Sequence, residues 1–286
     1  ITPDTFHDKF RDFRTTQTGP DLVVINHYFK ALDLSEAGYQ DKKRVFQNDQ
    51  WEIFKTKQAW IYRFRPTLPF EPGLPVTAVI SPDHARVDVY ISETSPEQYQ
   101  IGKHNALTLF NSDQVLFSKL LCDRDGLILH SNGFQWAGKG FLLAGKSGSG
   151  KSTLSGMLKQ RGFNILCDDR MFLRRLKSRF QIHGSWCHGS VPDAANRSAP
   201  LDALFFLRQS RQDKIELMTD KKTISRLMVQ SMVKPFLDKE DWEKTLHTLS
   251  DLIRRTRIYT LYFNLSGSIC GKIKEQLGQG GPEQQE

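Results

Sequence analysis

Eight residues, "GKSGSGKS" from Gly145 to Ser152, fill every fixed position of the pattern G-x-x-x-x-G-K-[ST]. Gly145, Gly148 and Gly150 permit a close backbone approach that side chains would obstruct, so successive N–H groups can face phosphate oxygens at the positive end of a helix. Lys151 can bring a mobile positive charge to the outer phosphates, and Ser152 offers a hydroxyl ligand to Mg²⁺. Lys146, Ser147, Ser149 and Thr153 complete the cradle, with Lys146 and Ser149 read as local modulators rather than primary ligands. Two acids, Asp168 and Asp169, stand sixteen and seventeen positions beyond Ser152. One carboxylate there could hold Mg²⁺, directly or through water, while its neighbour takes a proton from an attacking hydroxyl. Two adjacent ionised carboxylates repel each other, and Mg²⁺ or Lys151 would offset that repulsion.

These residues need elements to hold them. "FLLAG" reads as an apolar strand entering the loop, and "STLSGMLKQRG" leaves it with Leu154, Met157 and Leu158 at helical spacing before Gly162. "FNILC" has strand composition and ends at the aspartates; if it lies beside the strand feeding the loop, its end opens on the phosphate crevice. Upstream, "LILHSNGFQW" and "AGKG" read as a strand and a tight turn. "SDQVLFSKLLCDRDG" predicts a helix with Ser112 as its N-cap, an apolar face through Val115, Leu116, Leu120 and Leu121, and Gly126 just past its end. Downstream, "MFLRRLKSRFQIHG" suggests a hairpin and "LDALFFLRQS" a buried strand. "TISRLMVQSMVKPF" and "DWEKTLHTLSDLIRRT" predict amphipathic helices, with "IYTLYFNL" returning as a strand.

The first hundred residues read differently, as strand-rich with short helices. "WEIFKTKQAWIYRF" and "VTAVISPDHARVDVYIS" each suggest a hairpin, and the prolines of "RPTLPFEPGLP" mark a loop between them. The expected organisation is therefore a strand-rich accessory or substrate domain over 1–105, an α/β nucleotide-binding domain over 106–275, and a disordered Gly-Pro-Gln tail over 276–286.

Composition narrows the class of protein. Of 286 residues, 38% are apolar and 25% charged, and no run approaches the roughly 18 apolar residues that span a bilayer. The opening "ITPDTFHDKFRDF" has neither a basic n-region nor an apolar h-region, so no secretory signal is expected there. Cys122, Cys167, Cys187 and Cys270 are scattered without a CxxC pair, which fits reduced thiols in a cytoplasmic compartment. The net charge of +8 is spread in clusters not interleaved with aromatics, which favours a solvated basic surface over a nucleic-acid site.

The run from "LILHSNGF" through "GKGFLLAGKSGSGKSTL" to "QRGFNILCDD" resembles the catalytic domain of the HPr kinase/phosphorylase family, whose nucleotide fold is related to phosphoenolpyruvate carboxykinase. The order matches as well as the content: a His in the strand before the loop, a hairpin, the phosphate loop, a short helix, then the double aspartate. The resemblance is close over this stretch and extends in outline over 106–263. It implies an ATP- and Mg²⁺-dependent kinase acting on a hydroxyl, typically a protein serine. It places His130 near the phosphates and Lys151 and Ser152 on ATP and Mg²⁺. One of Asp168 and Asp169 becomes the base, with Asp168 preferred, and Asp169 is then set near the metal. Thr153 stands where the bifunctional enzymes carry Glu, and their glycine- and arginine-rich signature is missing downstream. The acceptor implied is therefore a peptide, small molecule or partner protein other than HPr. The family often assembles into rings, so a homo-oligomer is compatible with the resemblance.

Other candidates carry less. "HGSWCHGSVPDAANRSAP" is a polar segment where a substrate loop could sit, and its His183, Cys187 and His188 lack a fourth partner for a tetrahedral metal site. Arg197 leads Arg170, Arg174 and Arg175 as an arginine that could reach phosphate. Two readings from other classes remain beside the kinase: a non-catalytic ATP sensor or assembly component, and a P-loop ATPase.

Overall fold

Burial along the strands alternates in a period of two in one part of the chain and is nearly continuous in another, and this divides the molecule. The computed structural model describes all residues except 18, 20, 36, 66–74, 109, 111, 112, 188, 190–192, 235–237 and 279–286. Its contacts separate two compact units, Ile1–Leu120 with Pro235–Glu240, and Leu121–Lys234 with Asp241–Glu286. Each unit holds one sheet, giving a mixed α/β architecture.

In the first unit the strands are β1 (Val24–Tyr28), β2 (Lys43–Gln47), β3 (Trp51–Lys55), β4 (Trp60–Phe64), β5 (Val76–Ile80) and β6 (Arg86–Ile91), in the order β1-β6-β5-β4-β3-β2. From β2 to β6 the sheet is an antiparallel meander, and β1 joins β6 in parallel. The two expected hairpins are β3–β4 and β5–β6. Val76, Ala78 and Ile80 of β5 face the core together with Val87, Val89 and Ile91 of β6, while the residues between them are partly exposed. The short helix α1 (Pro96–Gln100) starts with a capping box between Ser95 and Gln98. The loop expected over "RPTLPFEPGLP" falls largely on residues outside the described set. Helix α2 (Gln114–Cys122) forms where predicted, although its expected cap, Ser112, is also outside that set. Its Leu116, Leu120 and Leu121 are buried and Val115 is half-buried.

The second unit is built on β7 (Gly126–Trp136), β8 (Lys139–Ala144), β9 (Asn164–Cys167), β10 (Arg170–Leu176), β11 (Arg179–His183), β12 (Ser198–Gln209), β13 (Lys214–Leu217) and β14 (Arg257–Phe263). The order is β11-β10-β7-β8-β12-β14-β13, with β9 added beside β7 and a further pairing of β11 with β12. The parallel core, β8-β12-β14, is covered on both faces. Phe141 and Leu143 of β8 and Phe205 and Leu207 of β12 pack with Leu154 and Leu158 of α3 (Lys151–Gln160) and with Ile269 and Ile273 of α6 (Ile269–Gly278). The alternate residues, Leu142, Ala144, Leu204 and Phe206, pack with Met228 of α4 (Lys221–Ser231) and Leu252 of α5 (Lys239–Arg255). Two-sided burial is why "FLLAG" and "LDALFFL" read as continuous apolar runs.

The tail expected from residue 276 begins inside α6, which runs to Gly278; residues 279–286 lie outside the described set. All four cysteines are buried free thiols. Among the described residues, no helix is long and apolar enough to cross a membrane.

Candidate functional site

Strand β8 ends at Ala144 and the chain turns at once into the glycine loop. Gly148 (φ +77°) and Gly150 (φ +94°) adopt the left-handed conformation that glycine tolerates without strain. Gly150 is also the N-cap of α3, and no side chain caps that helix end. The first-turn N–H groups, which lack intrahelical acceptors, are thereby left for an anion. A Cβ on Gly150 would come within 2.6 Å of Cζ of Phe263, so only glycine fits between the loop and β14. The loop is braced by three bonds: Ser149 N–H donates to Lys146 O (3.1 Å), Lys151 Nζ to Gly145 O (3.0 Å), and Gln209 Nε2 to Gly148 O (3.2 Å). Inside it, the buried Ser149 Oγ has no hydrogen-bond partner among the described residues. Lys151 is largely buried; burial pushes its ammonium below the ordinary lysine value, while Asp169 and Asp168 pull it back up.

The acids reach the loop by a route other than the expected one. Strand β9 does not pair with β8; it runs antiparallel to β7, with Gly133 opposite Cys167. The physical reason is that β8 already has a neighbour on each edge, β7 and β12, so the chain leaving α3 must settle on the outer edge of β7. Strand β7 is eleven residues long and serves two partners on that edge, β10 along 126–130 and β9 along 133–135. Asp168 and Asp169 lie in the gap between them, beside Ser131 and Asn132.

Asn132, 1% exposed, organises that gap. Its Nδ2 donates to Oδ1 of Asp168 and to Oγ of Ser155 (2.9 Å), and its Oδ1 accepts the N–H of Asp169 (3.1 Å). Oδ1 of Asp168 also accepts the Ser152 hydroxyl at 2.8 Å, which joins the acid to the loop. Asp168 is buried, whereas about a quarter of the Asp169 side chain is exposed. Asp169 has φ +96°, an uncommon conformation for a non-glycine residue, costing of order 1–3 kcal/mol. The turn aims its carboxylate away from Asp168 and toward two basic side chains: His130 Nε2 lies 2.9 Å from Oδ1, and the Arg170 guanidinium pairs with Oδ2. Burial alone would raise the Asp169 carboxyl, but the His130 hydrogen bond and the charges of Arg170, His130 and Lys151 together hold it below the ordinary aspartate value.

The segment after β11 backs the pair. Ala195 N–H donates to Leu166 O (2.8 Å), Asp168 N–H to Asp193 O (3.0 Å), and Gly189 N–H to Asp168 O (2.9 Å). A Cβ on Gly189 would approach Cβ of Asp169 to 2.9 Å. From the polar stretch His183–Pro200, Gly189 and Asp193 thus lie against the acids. Among the described residues no group of three or more His, Cys, Asp or Glu could hold a metal, and His188 lies outside the described set. The Arg197 side chain is exposed, and none of the described contacts joins it to the acids. Arg175 is engaged with Asp125 and Asp251, while Arg170 pairs with Asp169 itself.

The structure therefore gathers His130, Lys151, Ser152, Asp168 and Asp169. Sequence reasoning passed over Asn132 and Ser155; the available signal was an amide in the middle of the apolar run "LILHSNGF", where a polar side chain must find partners. Oxygen donors 2.8 Å apart on Ser152 and Asp168 fit Mg²⁺, which takes one or two protein oxygens and completes its shell with phosphate and water.

No curated protein matches this chain. The structure of the Hpr(Ser) kinase/phosphatase from Coxiella burnetii is similar over 53% of this chain and 98% of that one, at 15% sequence identity and a TM-score of 0.30. A family model described as "ScmC: SynChlorMet cassette protein ScmC" matches residues 102–278, which contain the loop, the acid pair and Asn132. By that match, which takes in more than half of its residues, the chain belongs to the ScmC family.

Proposed function

We propose that this protein is an ATP- and Mg²⁺-dependent phosphotransferase of the HPr-kinase-like type, passing the γ-phosphate to a hydroxyl, with a serine side chain as the acceptor class. The observation that carries the reading is the division of labour in the acid pair. Asp168 is buried and bound to the loop hydroxyl of Ser152, whereas Asp169 is open to solvent and bound to His130. Loop backbone N–H groups and Lys151 hold the phosphates, and the orphaned Ser149 hydroxyl is a further donor. Ser152 and Asp168 would hold Mg²⁺, whose charge, when it is bound, neutralises the β- and γ-oxygens.

This assignment exchanges the roles that the family resemblance preferred for the two acids. Oδ1 of Asp168 already receives Ser152 and Asn132 and faces the loop, so it suits the metal side. Asp169 suits the base. Its partly exposed edge can accept the proton of an incoming hydroxyl. His130 holds that carboxylate in orientation, and Arg170 stabilises the negative charge beside it. Lys151 follows the charge that develops on the transferring group.

The test is incubation of the protein with γ-labelled ATP and Mg²⁺ alongside cell extract as the acceptor source. A labelled hydroxyl product supports the reading. ATP hydrolysis without a labelled acceptor would point to an ATPase, and binding without turnover to a sensor. Full turnover by Lys151→Ala would sink the assignment.

A further inference from the structure

The groups assigned above engage only the phosphate end of a nucleotide. Beside the loop opens a cavity of about 470 Å³, lined by Gly150, Thr153, Gln209, Arg211, Phe263 and Leu265 among others. That size falls in the range of small-molecule sites, roughly 300–1,000 Å³. Three chain segments wall it: the start of α3, the exit of β12 and the exit of β14. Because β8, β12 and β14 are parallel neighbours, these exits and the phosphate loop share the carboxyl edge of the sheet, where ligands of open α/β sheets bind.

The walls are built as a unit with the loop. Ser210 N–H donates to Phe263 O (2.9 Å), Asn264 Nδ2 to Arg211 O (2.9 Å), and Asn264 N–H to Asp213 Oδ1 (3.0 Å), clamping the two exits together. Gln209 then ties the clamp to the loop through Gly148 O. At the rim, Leu265 leaves an apolar side chain 77% exposed, and Arg211 is exposed as well. An apolar side chain, a guanidinium able to stack on a flat ring, and the Thr153 hydroxyl are the complement of a heterocyclic base with its ribose.

Resting on the nucleotide reading above, we propose that this cavity is the nucleoside site of the same ligand. Leu265 and Arg211 embrace the base, and the Gln209–Gly148 bond transmits its occupancy to the phosphate loop. The experiment is calorimetric titration of the full chain, with Mg²⁺ present, by ATP and in parallel by tripolyphosphate, which carries the phosphates without a nucleoside. ATP is expected to bind at least about tenfold more tightly, and Leu265→Asp or Arg211→Ala to remove about that factor for ATP while leaving tripolyphosphate unchanged. Both side chains are exposed, so neither substitution disturbs the core. Equal affinity for the two ligands, or variants that weaken both alike, overturns the nucleoside site and leaves the phosphate reading standing. If neither ligand binds the unaltered chain, the phosphate reading falls and this proposal with it.

Discussion

Asp168 and Asp169 are neighbours in the chain and live in opposite surroundings. Asp168 is buried, accepts the Ser152 hydroxyl and the Asn132 amide, and has its backbone fixed by Asp193 and Gly189. Asp169 is turned outward by a left-handed backbone and held by His130 and Arg170. The difference shows how one dipeptide can face two environments: the φ +96° residue breaks the strand, sending one carboxylate toward the phosphate loop and the other toward His130 and Arg170. Asn132 sits across the break and bonds to both residues, so each side is positioned against the same rigid strand.

The sharpest way to break this comparison is Asp169→Asn. Asparagine tolerates the left-handed backbone, so the fold should persist, while loss of the base lowers phosphate transfer by about 10²–10⁴-fold. ATP affinity, measured by titration, should hardly move. Lys151→Ala comes next. Removal of its charge-assisted contacts should weaken ATP binding by about 1.5–3 kcal/mol, read in the same titration, with no change in the fold by circular dichroism.

Asn132→Leu attacks both sides at once. It leaves Asp168 Oδ1 and Ser155 without their amide donor and the Asp169 N–H without its acceptor, and should cost about 1–3 kcal/mol per unsatisfied group in chemical denaturation.

The smallest effect is expected from His130→Ala, in pH dependence. The His130 hydrogen bond lowers the Asp169 pKa, so its loss should move the acid limb of the kcat/KM profile upward. Stability follows the same sign. Because the folded-state pKa of Asp169 is depressed, its contribution is present above the unfolded aspartate value of about 3.9 and is lost as pH falls through the lower folded value. Thermal melts of Asp169→Asn should therefore lose less stability on acidification than those of the unaltered protein.

What was legible in the sequence was local. The loop, α3, the hairpins β3–β4, β5–β6, β7–β8 and β10–β11, and helices α4 and α5 are each specified within about twenty residues by periodicity and turn chemistry. The partner of β9 was not legible, because it depends on which sheet edge remains open after β8 has been enclosed by β7 and β12, and β12 lies far along the chain. Strand β13 has only four residues on a sheet edge, and α6 is hidden by flanking glycines and by a polar tail of similar composition. At the site, the loop and acids announced themselves by spacing, whereas Asn132 acts through a contact with Asp168 thirty-six residues away.

The central claim, that the two aspartates divide metal holding from proton acceptance, is tested most directly by measuring two quantities on Asp168→Asn and Asp169→Asn side by side: Mg²⁺-dependent ATP affinity, and transfer of label from γ-labelled ATP to acceptor in extract. The account predicts that Asp168→Asn loses the Mg²⁺ dependence of binding, and that Asp169→Asn binds normally yet transfers no label. Label transfer preserved in Asp169→Asn, or Mg²⁺-dependent binding preserved in Asp168→Asn and lost in Asp169→Asn, would contradict it.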